Sequence, residues 1–335
     1  MLRTEGQPRK MLLLIAFAIS AADGLEPAAE ASHSCPTHVP RARWPTEAML
    51  ECAFREKRAT ANEDMVLLPL LLRLAADLRK PQTPHFIEIG AYDGLHGSQT
   101  LVMERCFGWR GALIEASPPN FEQLSVSNRT GAMVNAAVCD KAEGGVIQIT
   151  VGGATVAGDV SKMGKAHLTR WRNARGTKEV PVPCKPLLSI YRDMMSQKAT
   201  AENAQWVSDQ PVSYMSLDVE GSELDVLQSV PNLGSHPFDV ILMENEYGNM
   251  RDRLSAKLLR DSNYTRFLMP HPSHGGTNDL YVSQRALPTA RRLLGPREAG
   301  HHEGIWKAPY SQDIPRSIRQ GLQKLGMQPH SCNAE

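Results

Sequence analysis

From His85 onward, short apolar runs alternate with segments of helical spacing, and this alternation leaves the chain few folds to choose from. Near-continuous apolar runs at 85–91 (HFIEIGA), 111–116 (GALIEA), 132–138 (AMVNAAV), 212–218 (VSYMSLD) and 238–245 (FDVILMEN) predict strands. Helical patterns at 98–107, 118–127, 185–196 and 222–230 separate them. Strands apolar on both sides belong in a parallel sheet covered on both faces, so the expectation is a doubly wound α/β domain. Ligands of such sheets bind outside the carboxyl ends of the strands. Two later runs, 264–269 and 278–283, predict a closing hairpin.

Ahead of the sheet, Asn62 and Asp64 are placed to cap a helix whose apolar positions Met65, Leu68, Leu71, Leu72, Ala75 and Leu78 recur at helical spacing and stop before Pro81. Pro69 and Arg73 within it argue against a membrane span. Between the third and fourth core strands, residues 144–184 form an irregular insertion with the run VIQITVGG and the basic stretch Lys162 to Arg175. It is a candidate lid over the site or a surface excursion. Met11 to Ala22 is an apolar run behind Arg3, Arg9 and Lys10, with Ser20 and Ala22 as small residues at its end. Twelve apolar residues fall short of a membrane-spanning helix. The layout reads as a signal peptide, with a short anchor or an organelle presequence as alternatives. The expected organisation is therefore a signal segment or anchor at 1–22, a linker at 23–60, one catalytic domain at 61–290 and a basic tail at 291–335.

Charge adds an exclusion. With 37 basic and 36 acidic side chains the net charge is +1, so no global field favours nucleic acid or a membrane surface. The six cysteines, Cys35, Cys52, Cys106, Cys139, Cys184 and Cys332, contain no C-x-x-C pair. They suit structural disulfides in an oxidising compartment, in a pairing that spacing does not choose. Asn128-Arg129-Thr130 and Asn263-Tyr264-Thr265 are glycosylation acceptors if the chain enters the secretory lumen. Secretory placement, in the lumen or outside the cell, is the expected localisation.

The chemistry concentrates at strand ends. Glu88-Ile89-Gly90-Ala91-Tyr92-Asp93-Gly94 sits where the first strand meets its turn, and its glycines let backbone approach a ligand closely. It is not the dinucleotide fingerprint, and its acids would repel a pyrophosphate. A nicotinamide-dependent oxidoreductase is therefore a poor fit. A cationic cofactor suits the turn better, and S-adenosylmethionine carries a sulfonium and an ammonium that Glu88 and Asp93 could face. Glu115, at the tip of the second strand, is placed to accept both ribose hydroxyls. Asp140, after the third strand, is placed to meet the adenine amino group or to be a plain turn aspartate. At the fourth strand end, Asp218 and Glu220 would lie beside the methyl group as general base or acceptor anchor, with Glu223 serving the helix start. Glu244 and Asn245 arrive at the same edge from the fifth strand, followed by Glu246. Asp218, Glu244 and Asn245 together offer oxygen ligands for Mg²⁺, or a polar rim without metal. His271, His274, His301 and His302 read as loop histidines, and Trp109 as a packing residue.

The stretches FIEIGAYDG, LVMERCFGWRGALIEASP, NAAVC, SYMSLDVEGSELDVL and FDVILMENEY, in this order, resemble the FkbM family of methyltransferases over roughly residues 84–284. The resemblance implies a Rossmann-like class I methyltransferase sheet, S-adenosylmethionine as donor, and transfer to a hydroxyl on a sugar or other small acceptor. Carried over by position, Glu88, Gly90, Asp93 and Gly94 match the family's cofactor turn, Glu115 its ribose acid, and Asp218 to Gly221 its D-x-E-G motif. The rival reading is a luminal or surface interaction protein that keeps the fold without catalysis.

Overall fold

The computed structural model describes residues 45–60, 62–78, 83–141, 144–152, 157–159, 161–162, 169, 176–198, 212–235, 237–245, 250–268, 277–294 and 314–327. The segment 11–22, Cys35, Cys332, Glu246, the four loop histidines and most of the stretch from Lys162 to Arg175 lie outside them. In chain order the strands are β1 (His85–Ile89), β2 (Arg110–Glu115), β3 (Ala132–Asn135), β4 (Ala137–Val138), β5 (Gly145–Val151), β6 (Lys178–Lys185), β7 (Val212–Leu217), β8 (Phe238–Asn245), β9 (Thr265–Leu268) and β10 (Thr277–Val282). Seven of them form one sheet in the order β3-β2-β1-β7-β8-β10-β9. Six of the seven strands run in one direction, and β10 runs against them. The order reverses between β1 and β7, which makes the crevice beyond Ile89 and Leu217 the switch point where a doubly wound sheet receives its ligand.

The period of two in the strands sorts the core into two layers. Phe86, Leu113, Tyr214, Val240, Leu242 and Leu280 point to one face of the sheet. There they meet α2 (Glu63–Leu78), whose Met65, Leu67, Leu68, Leu70, Leu71 and Leu74 are almost wholly buried. Ile87, Ile114, Met215, Leu217, Ile241 and Met243 point to the other face. They pack on α5 (Leu187–Lys198), α6 (Glu223–Gln228) and α7 (Met250–Asp261). The doubly wound α/β expectation therefore holds. The remaining helices are α1 (Glu47–Glu56), α3 (Leu101–Phe107), α4 (Pro118–Ser125), α8 (Leu287–Leu294) and α9 (Ile314–Lys324). No described helix is long and apolar enough to cross a membrane.

Three expectations change in detail. The run 132–138 is two strands: β3 ends at Asn135, Ala136 N–H donates to the Glu115 carbonyl, and β4 then leaves to pair with β6 in a separate three-stranded sheet, β4-β6-β5. The linker expected over 23–60 contains α1, whose N-cap Thr46 accepts from Met49 N–H and whose Cys52 is disulfide-bonded to Cys106 on α3. The basic tail contains α9, which buries Ile318 and Leu322 in the core that α2 also lines, and Leu325 and Met327 just past its end are buried too. The hairpin expected near the end is present as β9 and β10.

Candidate functional site

A cleft opens at the carboxyl ends of β1, β2 and β7 and encloses about 550 Å³, part of it open to solvent. Its floor is Ile89 and Gly90, one side is Glu115 and Ala116, and the other is Asp218, Val219 and Ser222. Ala136, Ala137 and Val138 continue the wall beyond Glu115, and Ile147, Ile149, Ala157, Gly158, Asp159 and Lys162 complete it. The last six come from the insertion, so that segment borders the cleft. Gly90 is required here by shape: at φ +84° a Cβ would lie 1.8 Å from the Asp218 carbonyl oxygen. The two loops that frame the cleft each hold a non-glycine residue at positive φ, Tyr92 at 49° and Glu220 at 55°. Such strain is commonly kept at functional turns.

Glu115 is buried, yet it lines the cleft. Its oxygens accept from Tyr92 N–H at 2.8 Å and Ser117 N–H at 2.7 Å, which fixes the carboxyl group at the tip of β2. Burial pushes its pKa up to about 7 against the pull of those two donors.

Below the glycine turn lies a separate ionic knot. Glu88 accepts from Ser98 Oγ at 2.9 Å, Gln99 N–H at 2.7 Å and Thr100 Oγ1 at 2.5 Å. The side chain of Arg129 is fully buried, pairs with Glu104 at 3.2 Å, and donates to the Gly94 carbonyl and to Ser98 and Thr100. Asp93 accepts from the N–H groups of Leu95 and His96 and pairs with the His96 ring. Burial would raise its pKa, but these donors outweigh it and hold the carboxylate below its usual range.

On the other side of the cleft, Asp218, Glu220 and Glu244 bring carboxylate oxygens within 4.8 Å of one another. The charge of Asp218, then burial, then Glu220, hold the Glu244 pKa well above its ordinary value, and the Glu244 and Asp218 carboxyl groups share a hydrogen bond. Asn245 does not join this trio, because alternation along β8 turns its amide to Asp279. Glu220, and not Asn245, completes the trio with Asp218 and Glu244.

The sequence pattern of the Methyltransferase FkbM domain matches residues 88–264, just over half of the chain. The chain belongs to the FkbM methyltransferase family. Among similar solved structures is an FkbM methyltransferase from Methylobacillus flagellatus KT, at 14% identity and a TM-score of 0.35 over 70% of this chain. This chain spans 58% of the length of that protein. Two others are a precorrin-6y C5,15-methyltransferase from Geobacter metallireducens GS-15 (10%, TM-score 0.33, 68% of this chain and 90% of that one) and a human methyltransferase 10 domain containing protein (12%, 0.31, 64% and 82%). No curated protein matches the sequence.

Of the residues that match the family's motifs, Gly90, Glu115 and Asp218 line the cleft. Glu88, Asp93 and Gly94 belong to the turn beneath it, where a Cβ on Gly94 would meet Leu124 at 2.6 Å. Glu220 and Glu244 stand beside Asp218 at the rim. Asp140 is exposed just past β4 and is not among the lining residues. Glu223, read as serving its helix, accepts from the N–H groups of Val219 and Gly221 and holds the D-x-E-G turn in shape. The sequence reading missed Arg129, whose partners are remote in sequence. It also missed Ile147 and Ile149, although their alternation in VIQITV announces a strand with one buried face.

Proposed function

We propose that the cleft binds S-adenosylmethionine and that the protein transfers its methyl group to a hydroxyl oxygen of a sugar or other small acceptor. The observation that carries this is one cleft with Gly90 at its floor, the fixed Glu115 carboxyl on one side and, on the other, Asp218, which is hydrogen-bonded to Glu244. Glu115 would accept the ribose hydroxyls, Ala137, Val138 and Ile149 would flank the adenine, and Gly90 would admit the methionine portion close to the backbone. Glu88, Asp93 and Arg129 would act indirectly, by holding the turn.

The donor, when bound, supplies a methyl carbon made electrophilic by its sulfonium. The protein's own part is the acceptor side. Asp218 would take the hydroxyl proton, while its hydrogen bond with Glu244 keeps it oriented. Much of the rate would come from holding acceptor and donor in line. The oxygens of Asp218, Glu220 and Glu244 also suit a hard divalent cation such as Mg²⁺. Turnover that falls on chelation and returns with Mg²⁺ supports that role, and turnover indifferent to chelation removes it.

Asp218→Asn tests the reading. We expect turnover of a radiolabelled methyl donor with hydroxyl acceptors to fall by about 100-fold or more, and donor affinity to stay within about threefold of wild type. Unchanged turnover would move the active site elsewhere. The oxidising secretory lumen is the compartment we propose. It is supported by the disulfides Cys52–Cys106 and Cys139–Cys184 among the described residues, and by the exposure of Asn128 and Asn263 at the two glycosylation sequences.

A further inference from the structure

We infer that the disulfide Cys139–Cys184 is a positioning device for the methyl donor, because it fastens the wall of the cleft that flanks the adenine. The inference rests on the donor reading given above and goes beyond it by making affinity depend on a covalent tie outside the cleft.

The wall is the small sheet β4-β6-β5. It leaves the main sheet after Asn135, and its contribution to the cleft comes from both ends: Ala137 and Val138 on β4, and Ile147 and Ile149 on β5. β5 is paired with β6 over seven positions, but the β4 end is held far less. β4 has two residues, and its pairing with β6 is confined to Ala137 against Cys184 and Val138 against Lys185. The core of the sheet is six buried side chains, two of which are the half-cystines themselves, 4% and 1% exposed. With an apolar core this small, a covalent cross-link is a large part of what holds the sheet together. The disulfide supplies that link at the seam between the part that continues β3 and the part that is inserted. A second tether, Lys162 to Asp225 at 2.8 Å, joins the insertion to α6 across the cleft, but that pair is partly exposed and worth little alone.

A second disulfide among the described residues provides the control. Cys52–Cys106 ties α1 to α3, and none of the residues that line the cleft belongs to either helix. Both bridges close long loops and both should add to global stability. Only Cys139–Cys184 should add to donor binding.

The experiment is calorimetric titration of the full chain with S-adenosylhomocysteine, alongside thermal unfolding, on wild type, the double variant Cys139→Ser/Cys184→Ser and the double variant Cys52→Ser/Cys106→Ser. We expect both double variants to melt lower, and only Cys139→Ser/Cys184→Ser to bind about tenfold more weakly. In turnover its KM for the donor should rise by the same factor, with kcat at saturating donor little changed. Equal affinity for wild type and Cys139→Ser/Cys184→Ser, or an equal loss in both double variants, overturns the inference while leaving the donor reading in place. Failure of the folded wild type to bind overturns the donor reading and this inference with it. A pair of milder variants decides the matter if the first double variant does not fold. Ile147 faces the cleft and Val146, its neighbour on β5, is 60% exposed, so Ile147→Ala should weaken binding severalfold and Val146→Ala should not. Equal binding by those two overturns it.

Discussion

Glu115 is the residue at which fold and chemistry meet. Burial pushes its pKa up to about 7, while the ribose hydroxyls it is proposed to hold need the ionised form as acceptor. Donor affinity should therefore rise as pH is raised from about 6 to 8, and Glu115→Gln should bind more weakly with no such slope; titration calorimetry across that range is the check. A flat wild-type profile would take Glu115 out of the ribose site. Gly90, Glu115 and Asp218 were legible in the sequence because each is a residue type demanded by its own strand end. The direction of the turn acids was not. Glu88 and Asp93 are acids in the right turn, but the partners that draw them inward, Ser98, Thr100, Arg129 and His96, include a cation 41 residues from Glu88 (129 − 88) that no local pattern announces.

At the scale of elements, the glycine turn has the least room for change. Gly90→Ala forces a Cβ against the Asp218 carbonyl at a φ that alanine avoids, so β1 and β7 must part where the cleft begins. We expect a loss on the order of 3 kcal/mol or more, read as a fall in Tm of at least several degrees, together with loss of donor binding. The five central strands and the closing hairpin were legible because continuous apolar runs between helical patterns have one economical arrangement. The elements that escaped are those whose stability is borrowed. α1 is short and is held to α3 by Cys52–Cys106. β4 is too short for any periodicity and exists only against β6. α9 carries its apolar side chains at helical spacing, but Pro and Gly around it hide the pattern, and its burial comes from the core that α2 lines.

Over the whole molecule, the buried acids set how stability responds to pH. Burial raises Asp64 to about 6, Glu115 to about 7 and Glu223 to about 8, all above their unfolded values of 3.8, 4.5 and 4.5. Raised carboxyl groups contribute stability that is fully present below the unfolded pKa and is lost as pH climbs through the folded one. Tm should accordingly fall as pH rises from about 4 to about 8. Glu223→Gln, which keeps an acceptor for Val219 and Gly221 N–H but cannot ionise, should narrow that fall by several degrees in differential scanning calorimetry. A variant with an unaltered pH profile would mean that Glu223 ionises freely in the folded protein. The central claim is that the cleft between Glu115 and Asp218 is a methyl-donor site, and binding of S-adenosylmethionine to the purified full chain tests it before any acceptor is known. The account predicts one site of micromolar affinity by calorimetry at pH 8, lost in Glu115→Ala while the protein stays folded; a folded wild type that takes up no donor, or a Glu115→Ala variant that binds as tightly as wild type, would contradict it.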